Sequence, residues 1–451
     1  MWLRLRRSDD MGKGDSKFLN IVPAVSDGYG EDMLRALYYR ILSSDFIRKV
    51  GETFATRVLL IGTGLITSVI VARILGPEGR GLYGVALTVV AIGVQFGNLG
   101  LHASNTYHVA RNPTALPALM GNTLLVSFGL GGIGAVLTWT IFSQWPSLAP
   151  VHGKLLVLSL VWIPFGLAYM LIQNLLLGIN EIRRYNIVEL VGRILGLSLI
   201  GLVVVCGMVS VELILLAGFI GAVVSLIMSI WRLKHHLQHP PLLSLTLLRE
   251  DFGYALKAYF GAFLAFLVLR VNLLMIQYML GEKQAGYYSI AVMLGDMVYL
   301  LPVAAGTILF PRLSGMLVNR EKWNLTKKAT LFIGLIMVLL ACCAALLASP
   351  VIRILFGEAF MPAVPAFQWL LPGIVLLSIN TCYMNYFASI GMPVVTVVSP
   401  GLAAIVTITV NLKLIPWLGI VGASITSVIS FGLMLIASII YVSYFGDDLS
   451  S

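Results

Sequence analysis

The sequence is short of charge. Only 11% of its 451 residues are charged and 59% are hydrophobic, whereas soluble proteins are roughly 25% charged and about 45–50% apolar. A soluble chain of this length would need polar surface for two or three domains, and a mean hydropathy of +0.93 leaves too little. The composition therefore excludes a soluble globular protein and a disordered chain, and it indicates an integral membrane protein.

Cysteine and secretion signals are scarce as well. The four cysteines lie in or beside apolar stretches, and Cys342 and Cys343 are adjacent, which excludes an extracellular disulfide framework and favours reduced packing residues. A cluster of arginines near the N-terminus resembles the start of a signal peptide, but polar residues follow it where an apolar run should begin. We therefore expect residues 1–45 to form a retained, polar, cytoplasmic tail.

Motifs for catalysis and metal binding are also missing. His235 and His239 have the spacing of a zinc-binding pair, but no third ligand is nearby, so we predict no metal site. The GxGxxG pattern at 129–134 lies inside an apolar run without the strand that a dinucleotide site requires. GxxxG spacings at Gly93–Gly97 and Gly192–Gly196 predict close helix packing. We expect no enzyme activity and no cofactor, apart from a coupling ion, H⁺ or Na⁺, that the sequence does not identify.

What the sequence does contain is a series of apolar runs, each long enough to cross a bilayer at about 20 residues. Twelve spans are predicted, at 56–75, 82–103, 116–142, 154–177, 186–206, 210–231, 255–279, 287–309, 328–348, 363–387, 394–413 and 417–444.

Basic residues predict the orientation of these spans. With a cytoplasmic N-terminus, about 23 of the 30 Lys and Arg residues fall in inside segments and only six in outside loops. This bias places both termini in the cytoplasm and the protein in the cytoplasmic (inner) membrane. The net charge of +10 then reflects cytoplasmic loops and contact with anionic membrane lipids rather than binding of nucleic acid.

Two junctions repeat one another at a constant offset of 205 residues. The segment LGPEGRGLYGVA at 75–86 and the segment LGEKQAGYYSIA at 280–291 share Leu, two Gly, Tyr and Ala. Both fall at a predicted outside loop, which indicates parallel six-helix repeats around a central cavity, the architecture of secondary transporters. We therefore predict an all-α integral membrane protein with about 12 transmembrane helices, an N-lobe at 46–240 and a C-lobe at 241–451.

The first of these segments, together with FGNLGL at 96–101, resembles the opening of polysaccharide and O-antigen flippases. These belong to the multidrug/oligosaccharidyl-lipid/polysaccharide exporter (MOP) superfamily. GYYSIA at 286–291, LFGEAF at 355–360 and GIVGA at 419–423 fit the same family. The resemblance implies two lobes that move a lipid-linked (polyprenyl-pyrophosphate) oligosaccharide from the inner to the outer leaflet by alternating access. A polysaccharide polymerase and glycosyltransferases are the partners it suggests.

Two ionisable residues lie deep inside predicted spans. A charge there is energetically unfavourable, so each is a candidate functional residue. Arg270 precedes Leu280 by ten residues and Asp296 follows Tyr287 by nine, which places both near the bilayer midplane. Two interpretations stay open: Arg270 faces the cavity and binds a pyrophosphate with bidentate hydrogen bonds, or it forms a structural ion pair with Asp296. A pair that opens when an anionic substrate arrives would satisfy both.

Other candidates for the substrate cavity are weaker. Arg57 and Arg193, predicted nearer the cytoplasmic ends of their spans, could form a basic entrance or extend to the interface, and Glu189 could pair with Arg193 at i,i+4. The uncharged candidates are Asn272, Gln95 and Asn98, for which hydrogen bonding between helices is the alternative. Flippases of this family often carry an acidic residue at the position of Asn272, so the resemblance leaves a coupling-ion role there in doubt.

Two other functions compete with lipid-linked oligosaccharide transport. A multidrug/cation antiporter of the same superfamily should use cavity carboxylates, and the sequence offers only Asp296 at depth, with Glu189 shallower. A membrane-embedded polysaccharide polymerase or acyltransferase should show a long outside loop or a His/Asp cluster at the membrane edge, and neither is evident in the sequence.

Overall fold

The computed structural model describes the backbone at residues 45–237 and 239–445, and the side chains at 55–237, 239–249 and 259–444. The chain divides after Ala55 into two units. Among described residues, the first unit holds only the beginning of a helix, and the architecture below is that of the second. The predicted tail at 1–45 lies outside the described residues apart from Asp45.

The described backbone is helical and contains no strand. Its helices are α1 Asp45–Asn98, α2 Leu101–Arg111, α3 Leu116–Leu124, α4 Gly131–Gln144, α5 Gly153–Gly178, α6 Ile182–Val205, α7 Val211–Lys234, α8 Leu245–Leu280, α9 Glu282–Gly315, α10 Asn319–Phe356, α11 Ala363–Ser389, α12 Val395–Leu418 and α13 Ile420–Phe445. A π-helical turn, Leu125–Leu130, joins α3 to α4, so the two cross as one segment.

Eleven segments of the described chain are long and apolar enough to span a membrane. The first of them, Ala55–Asn98, has 44 residues and bends at Gly76, whose φ of 65° and ψ of −174° leave the helical region. Glycine tolerates this conformation because it lacks a Cβ, and Pro77 follows it, where the proline ring prevents a straight helix. Counting the two arms of α1 separately gives the twelve spans that the sequence predicted.

The helices form two six-span lobes with matching internal packing. In the N-lobe, α1–α7, helix α5 packs against α4 and α7, and α6 packs against α7. In the C-lobe, α8–α13, helix α11 packs against α10 and α13, and α12 packs against α13. These three pairs correspond one to one under the repeat, as the predicted parallel-repeat architecture requires. The predicted lobe boundary at 240/241 falls in the connection between α7 and α8.

Glycine permits close contacts inside the N-lobe, as the GxxxG spacings predicted. A Cβ added at Gly93 would lie 2.5 Å from Ile163 of α5, and one at Gly221 would lie 2.6 Å from the carbonyl oxygen of Gly192. Small residues matter here because lipid is as apolar as the side chains, so helices associate through close packing.

The second span ends earlier than predicted, at Asn98 rather than 103. Leu99 and Gly100 adopt positive φ values of 48° and 79°, which breaks the helix. The Asn98 side-chain oxygen then accepts a hydrogen bond from the backbone N–H of His102 at 3.2 Å, and α2 begins as a separate helix.

Candidate substrate-binding site

One face of α8 is turned toward the N-lobe. At spacings of three or four residues it carries Tyr259, Phe263, Phe266 and Arg270. The Phe263 ring packs edge-on against Phe96 of α1 with centroids 5.6 Å apart, and the Tyr259 hydroxyl donates to the Phe96 carbonyl oxygen at 2.7 Å. Residues at this spacing share a helix face, so Arg270 lies on the same face of α8 as the residues that contact the N-lobe.

Arg270 and Asp296 form an ion pair on this face. The Nη1 atom of Arg270 lies 3.0 Å from Oδ2 of Asp296 on α9, and the two side chains are 30% and 45% exposed. The guanidinium carbon also lies 5.8 Å from the centroid of the Phe266 ring. The pair predicted as one of two alternatives is therefore present, and both side chains remain partly exposed.

The two repeated segments meet one another at the end of the bundle that carries Gly76 and Gly281. A Cβ added at Gly81 would lie 1.9 Å from the carbonyl oxygen of Glu282, and a Cβ added at Gly286 would lie 1.9 Å from that of Pro77. Each contact is the other shifted by the repeat offset. We call this contact the glycine closure; it brings α1 and α9 backbone to backbone and joins the lobes.

A second pair of contacts flanks the glycine closure and follows the same symmetry. Arg73 of α1 donates from Nε to the Leu355 carbonyl oxygen at 2.8 Å and also reaches the carbonyl of Ile354, near the end of α10. In the other direction, the Tyr278 hydroxyl of α8 donates to the Leu148 carbonyl oxygen beyond α4. The first span of each lobe is thereby attached to the third span of the other.

The far end of the lobe interface is also in contact. The Asn122 side chain of α3 donates to the Ser244 carbonyl oxygen at 2.9 Å and accepts from the Ser244 N–H at 3.0 Å. Together with the contacts of Tyr259 and Phe263 on Phe96, this holds the start of α8 against the N-lobe. Arg270 therefore lies between two contacts, one toward Phe96 and the other at the glycine closure, where Gly84 faces Leu273.

A cavity of about 270 Å³ lies inside the N-lobe among α1, α5, α6 and α7. Its wall includes Tyr83, Trp162, Tyr169, Glu189 and Arg193. Aromatic rings beside charged groups suit a ligand with an apolar or sugar portion and an ionised portion.

The structure places the two weaker arginine candidates differently. Arg57 pairs with Glu189 at 3.7 Å, so the predicted i,i+4 pair between Glu189 and Arg193 does not form. Arg193 lies at the middle of α6 rather than near its cytoplasmic end, because α6 begins at Ile182, four residues before the predicted start. Among the described side chains, Arg193 has no ion-pair partner and is exposed at the wall of the cavity.

The uncharged candidates lie apart from Arg270. Asn272 is 2% exposed inside the C-lobe, where its amide donates to Ser427 at 2.8 Å and to Tyr288 at 3.1 Å and accepts from Asn411 at 2.7 Å. Asn98 is buried and accepts from the backbone N–H of His102 in the first turn of α2, while Gln95 is partly exposed on α1. The structure therefore brings Arg270 together with Asp296 and Arg57 together with Glu189. Neither Asn272 nor Asn98 contacts either of these pairs in the described hydrogen bonds.

Sequence reasoning missed Arg80, which it assigned to an outside loop. Arg80 is only 7% exposed and donates from Nη2 to the Ser68 hydroxyl at 3.1 Å, across the bend at Gly76. A charged residue in a glycine-rich junction is typical of a solvated turn, so no local pattern signalled its burial.

This fold is shared with solved structures that include the following three. An inward-facing multidrug resistance MATE family transporter of the MOP superfamily superposes with a TM-score of 0.71 at 15% identity over 86% of this chain and 94% of that one. The lipid II flippase MurJ in an inward closed conformation gives 0.67 at 15% identity over 88% and 87%. An outward-facing MATE family transporter gives 0.62 at 16% identity over 91% and 98%. Identities this low define the fold alone.

The fold is accordingly that of the MOP superfamily, as the resemblance of the junction motifs predicted. Within it, the family described as polysaccharide biosynthesis protein matches residues 70–365, about two thirds of the sequence. The chain belongs to this polysaccharide biosynthesis family. No curated protein sequence gives a significant match.

Proposed function

We propose that this protein flips a lipid-linked oligosaccharide, carried on a polyprenyl pyrophosphate, from the inner to the outer leaflet for surface polysaccharide export. The observation that carries the proposal is the placement of Arg270, which is partly exposed on the α8 face between the lobes and held there by Asp296. A pyrophosphate presents the planar, multiply charged oxygens that a guanidinium binds in bidentate fashion. When the pyrophosphate arrives, Arg270 would exchange its hydrogen bond to the Asp296 carboxylate for one to a pyrophosphate oxygen.

The proposed mechanism is alternating access in the cytoplasmic membrane, with both termini in the cytoplasm. In that orientation the glycine closure lies on the outer side. The headgroup enters between the lobes from the inner leaflet, Arg270 offsets its loss of hydration, and the glycine closure then opens as the lobes rock apart. The lipid chain stays among the membrane lipids at a lateral gap. A polymerase and glycosyltransferases are the partner enzymes, and H⁺ or Na⁺ is the candidate coupling ion.

A multidrug/cation antiporter is the alternative within the superfamily, and the charge distribution disfavours it. A cationic drug requires free carboxylates, yet Asp296 and Glu189 are each paired with an arginine, while Arg193 and Arg80 have no acidic partner among the described side chains. The solved structures that share the fold are named as transporters and a flippase, and we propose a transporter rather than an enzyme.

The decisive experiment removes the gene from its host and measures lipid-linked oligosaccharide together with surface polysaccharide. Accumulated precursor with lost surface glycan supports the proposal, whereas unchanged glycan with raised sensitivity to cationic drugs contradicts it and favours the antiporter.

Complementation then tests the site. We expect Arg270→Ala to abolish export while folded protein stays at the normal level in the membrane. The control is Arg111→Ala, because Arg111 is exposed on α2 and bonds only to Tyr107 among the described contacts. Export at the wild-type rate in the Arg270→Ala strain would refute the assigned role.

A further inference from the structure

Arg80 is a buried cation without a counterion. Among the described side chains, its guanidinium makes one hydrogen bond, from Nη2 to Ser68 at 3.1 Å, and its Nε is buried without an acceptor. Buried charges in proteins are normally paired and hydrogen-bonded because burial removes their hydration. A bound anion would supply the counterion and the hydrogen-bond acceptor that this arginine does not find among the described side chains.

The N-lobe cavity lies next to this arginine. The guanidinium carbon of Arg80 lies 5.5 Å from the centroid of the Tyr83 ring, and that ring forms part of the cavity wall. Ser68, which accepts the hydrogen bond from Arg80, follows Thr67, another residue of the wall. The unpaired cation thus lies immediately behind one wall of the cavity.

A second unpaired arginine lines the same cavity. Arg193 contributes to the wall from α6, and Tyr83, the ring that Arg80 approaches, contributes to it from α1. One carboxylate, that of Glu189, lies in the same wall one turn before Arg193, and it lies 3.7 Å from a third arginine, Arg57. The arginines that line or adjoin the cavity therefore outnumber its described acids.

We propose that the N-lobe cavity is a binding site for a phosphate group, held by Arg193 and Arg80 on either side of Tyr83. Arginine is suited to this ligand because its fixed fork of N–H donors matches the oxygens of a phosphate. Tyr83 and Tyr169 bring hydroxyl groups to the wall, and the volume of about 270 Å³ accommodates a phosphate with its first waters. This site is distinct from the Arg270–Asp296 pair, which lies on α8 and α9.

The site also adjoins the glycine closure. Gly81, which contacts Glu282 of α9, directly follows Arg80 in the sequence. A phosphate that draws the Arg80 side chain into the cavity therefore acts on the residue next to the contact between the lobes. The proposal does not depend on which lipid-linked substrate the protein moves, because its test measures binding.

Inorganic phosphate is the probe. The thermal unfolding midpoint of the purified full chain in detergent is measured against phosphate concentration, with chloride at equal ionic strength as the reference. We expect a saturable rise with phosphate in the wild type and at least about a tenfold weaker apparent affinity in Arg80→Gln and Arg193→Gln, the effect of losing one charge-assisted contact. The matched control is Arg111→Gln, which should keep the wild-type affinity.

Two results would overturn the proposal. One is a wild-type midpoint that phosphate does not raise above chloride. The other is phosphate affinity that survives in Arg193→Gln and is lost in Arg270→Gln, which would move the anion to the pair between the lobes. If Arg80→Gln fails to fold, Arg193→Gln still decides, because the Arg193 side chain is exposed and makes no ion pair among the described residues.

A competition arm distinguishes the two sources of a phosphate group. A polyprenyl pyrophosphate in mixed micelles is added to phosphate-saturated protein. Displacement of inorganic phosphate identifies the cavity as a subsite for the lipid-linked headgroup, and independent binding of the two identifies it as a site for free phosphate. Both results support a phosphate site in the N-lobe.

Discussion

Replacing Gly81 by alanine tests whether the glycine closure holds the lobes together at one end. The added Cβ would lie 1.9 Å from the Glu282 carbonyl oxygen, 2.8 Å from the Gly286 nitrogen and 2.9 Å from the Glu282 carbonyl carbon. All three are backbone atoms, so no side-chain rotation relieves the overlap. Because real Cβ contacts are essentially never below 3.0 Å, α1 and α9 must separate by about 1.1 Å or more at this point.

The magnitude follows from the cost of overpacking, which is about 1–3 kcal/mol for an added carbon in a close-packed contact. That cost applies to the closed arrangement and disappears once the lobes part. The ratio of open to closed molecules at this end should therefore rise by about 5- to 150-fold. Gly286→Ala should act equally, since its Cβ meets the Pro77 carbonyl oxygen at the same 1.9 Å. The double variant should fall short of additivity, because both changes relieve one contact.

Distances between spin labels measure this equilibrium. Labels at Ser147 and Ala359, exposed residues on loops of opposite lobes at the closure end, are introduced after the four native cysteines have been replaced. Double electron–electron resonance should show a longer distance component that grows in Gly81→Ala. The control is Gly64→Ala on the same helix, where an added Cβ would have nothing within 4 Å. A distribution in Gly81→Ala identical to that of the control would refute the reasoning.

Three further predictions use the same preparations. Tyr259→Phe removes the 2.7 Å hydrogen bond to the Phe96 carbonyl oxygen, which contributes about 0.5–1.5 kcal/mol to stability. This bond lies at the end opposite the glycine closure, so the distance between the spin labels should not lengthen, and a longer distance would contradict the prediction. Asn272→Leu removes the oxygen that accepts a 2.7 Å hydrogen bond from the Asn411 amide, and it should lower the free energy of unfolding by about 1–3 kcal/mol. An unchanged thermal unfolding midpoint would show that Asn272 does not stabilise the C-lobe. Arg73→Ala releases the carbonyls at the end of α10 and should lengthen the distance in the same direction as Gly81→Ala, and a shorter distance would count against that contact.

Much of the fold could be predicted because the bilayer restricts each membrane-spanning segment to a pattern that is visible in the local sequence. A hydrocarbon core requires each span to be a continuous apolar helix, and both positive-φ glycines at the repeated junctions, Gly76 and Gly281, stand in matching positions of the sequence. The boundary errors are local. The second span ended early because Leu99 and Gly100 leave the helical region, and α6 began four residues early, which moved Arg193 to its centre.

The candidate site was less accessible to sequence reasoning. The pairing of Arg270 with Asp296 was one of two open alternatives, and their depth followed from residue counting on two adjoining helices. The choice of partner for Glu189 was wrong, because the i,i+4 neighbour Arg193 competes with Arg57, which is distant in sequence. No local rule weighs these two partners, since the outcome depends on how α1 packs beside α6.

Apolar length and a constant offset are properties of the chain alone, so an all-helical membrane protein built from two parallel repeats could be predicted without coordinates. How the repeats use their shared residues became visible in the folded molecule. The tertiary structure set Gly81 against Glu282 and Gly286 against Pro77, paired Arg270 with Asp296, and buried Arg80 beside a cavity. These outcomes depend on which helix faces approach one another, and the packing of distant segments fixes that approach where local pattern does not.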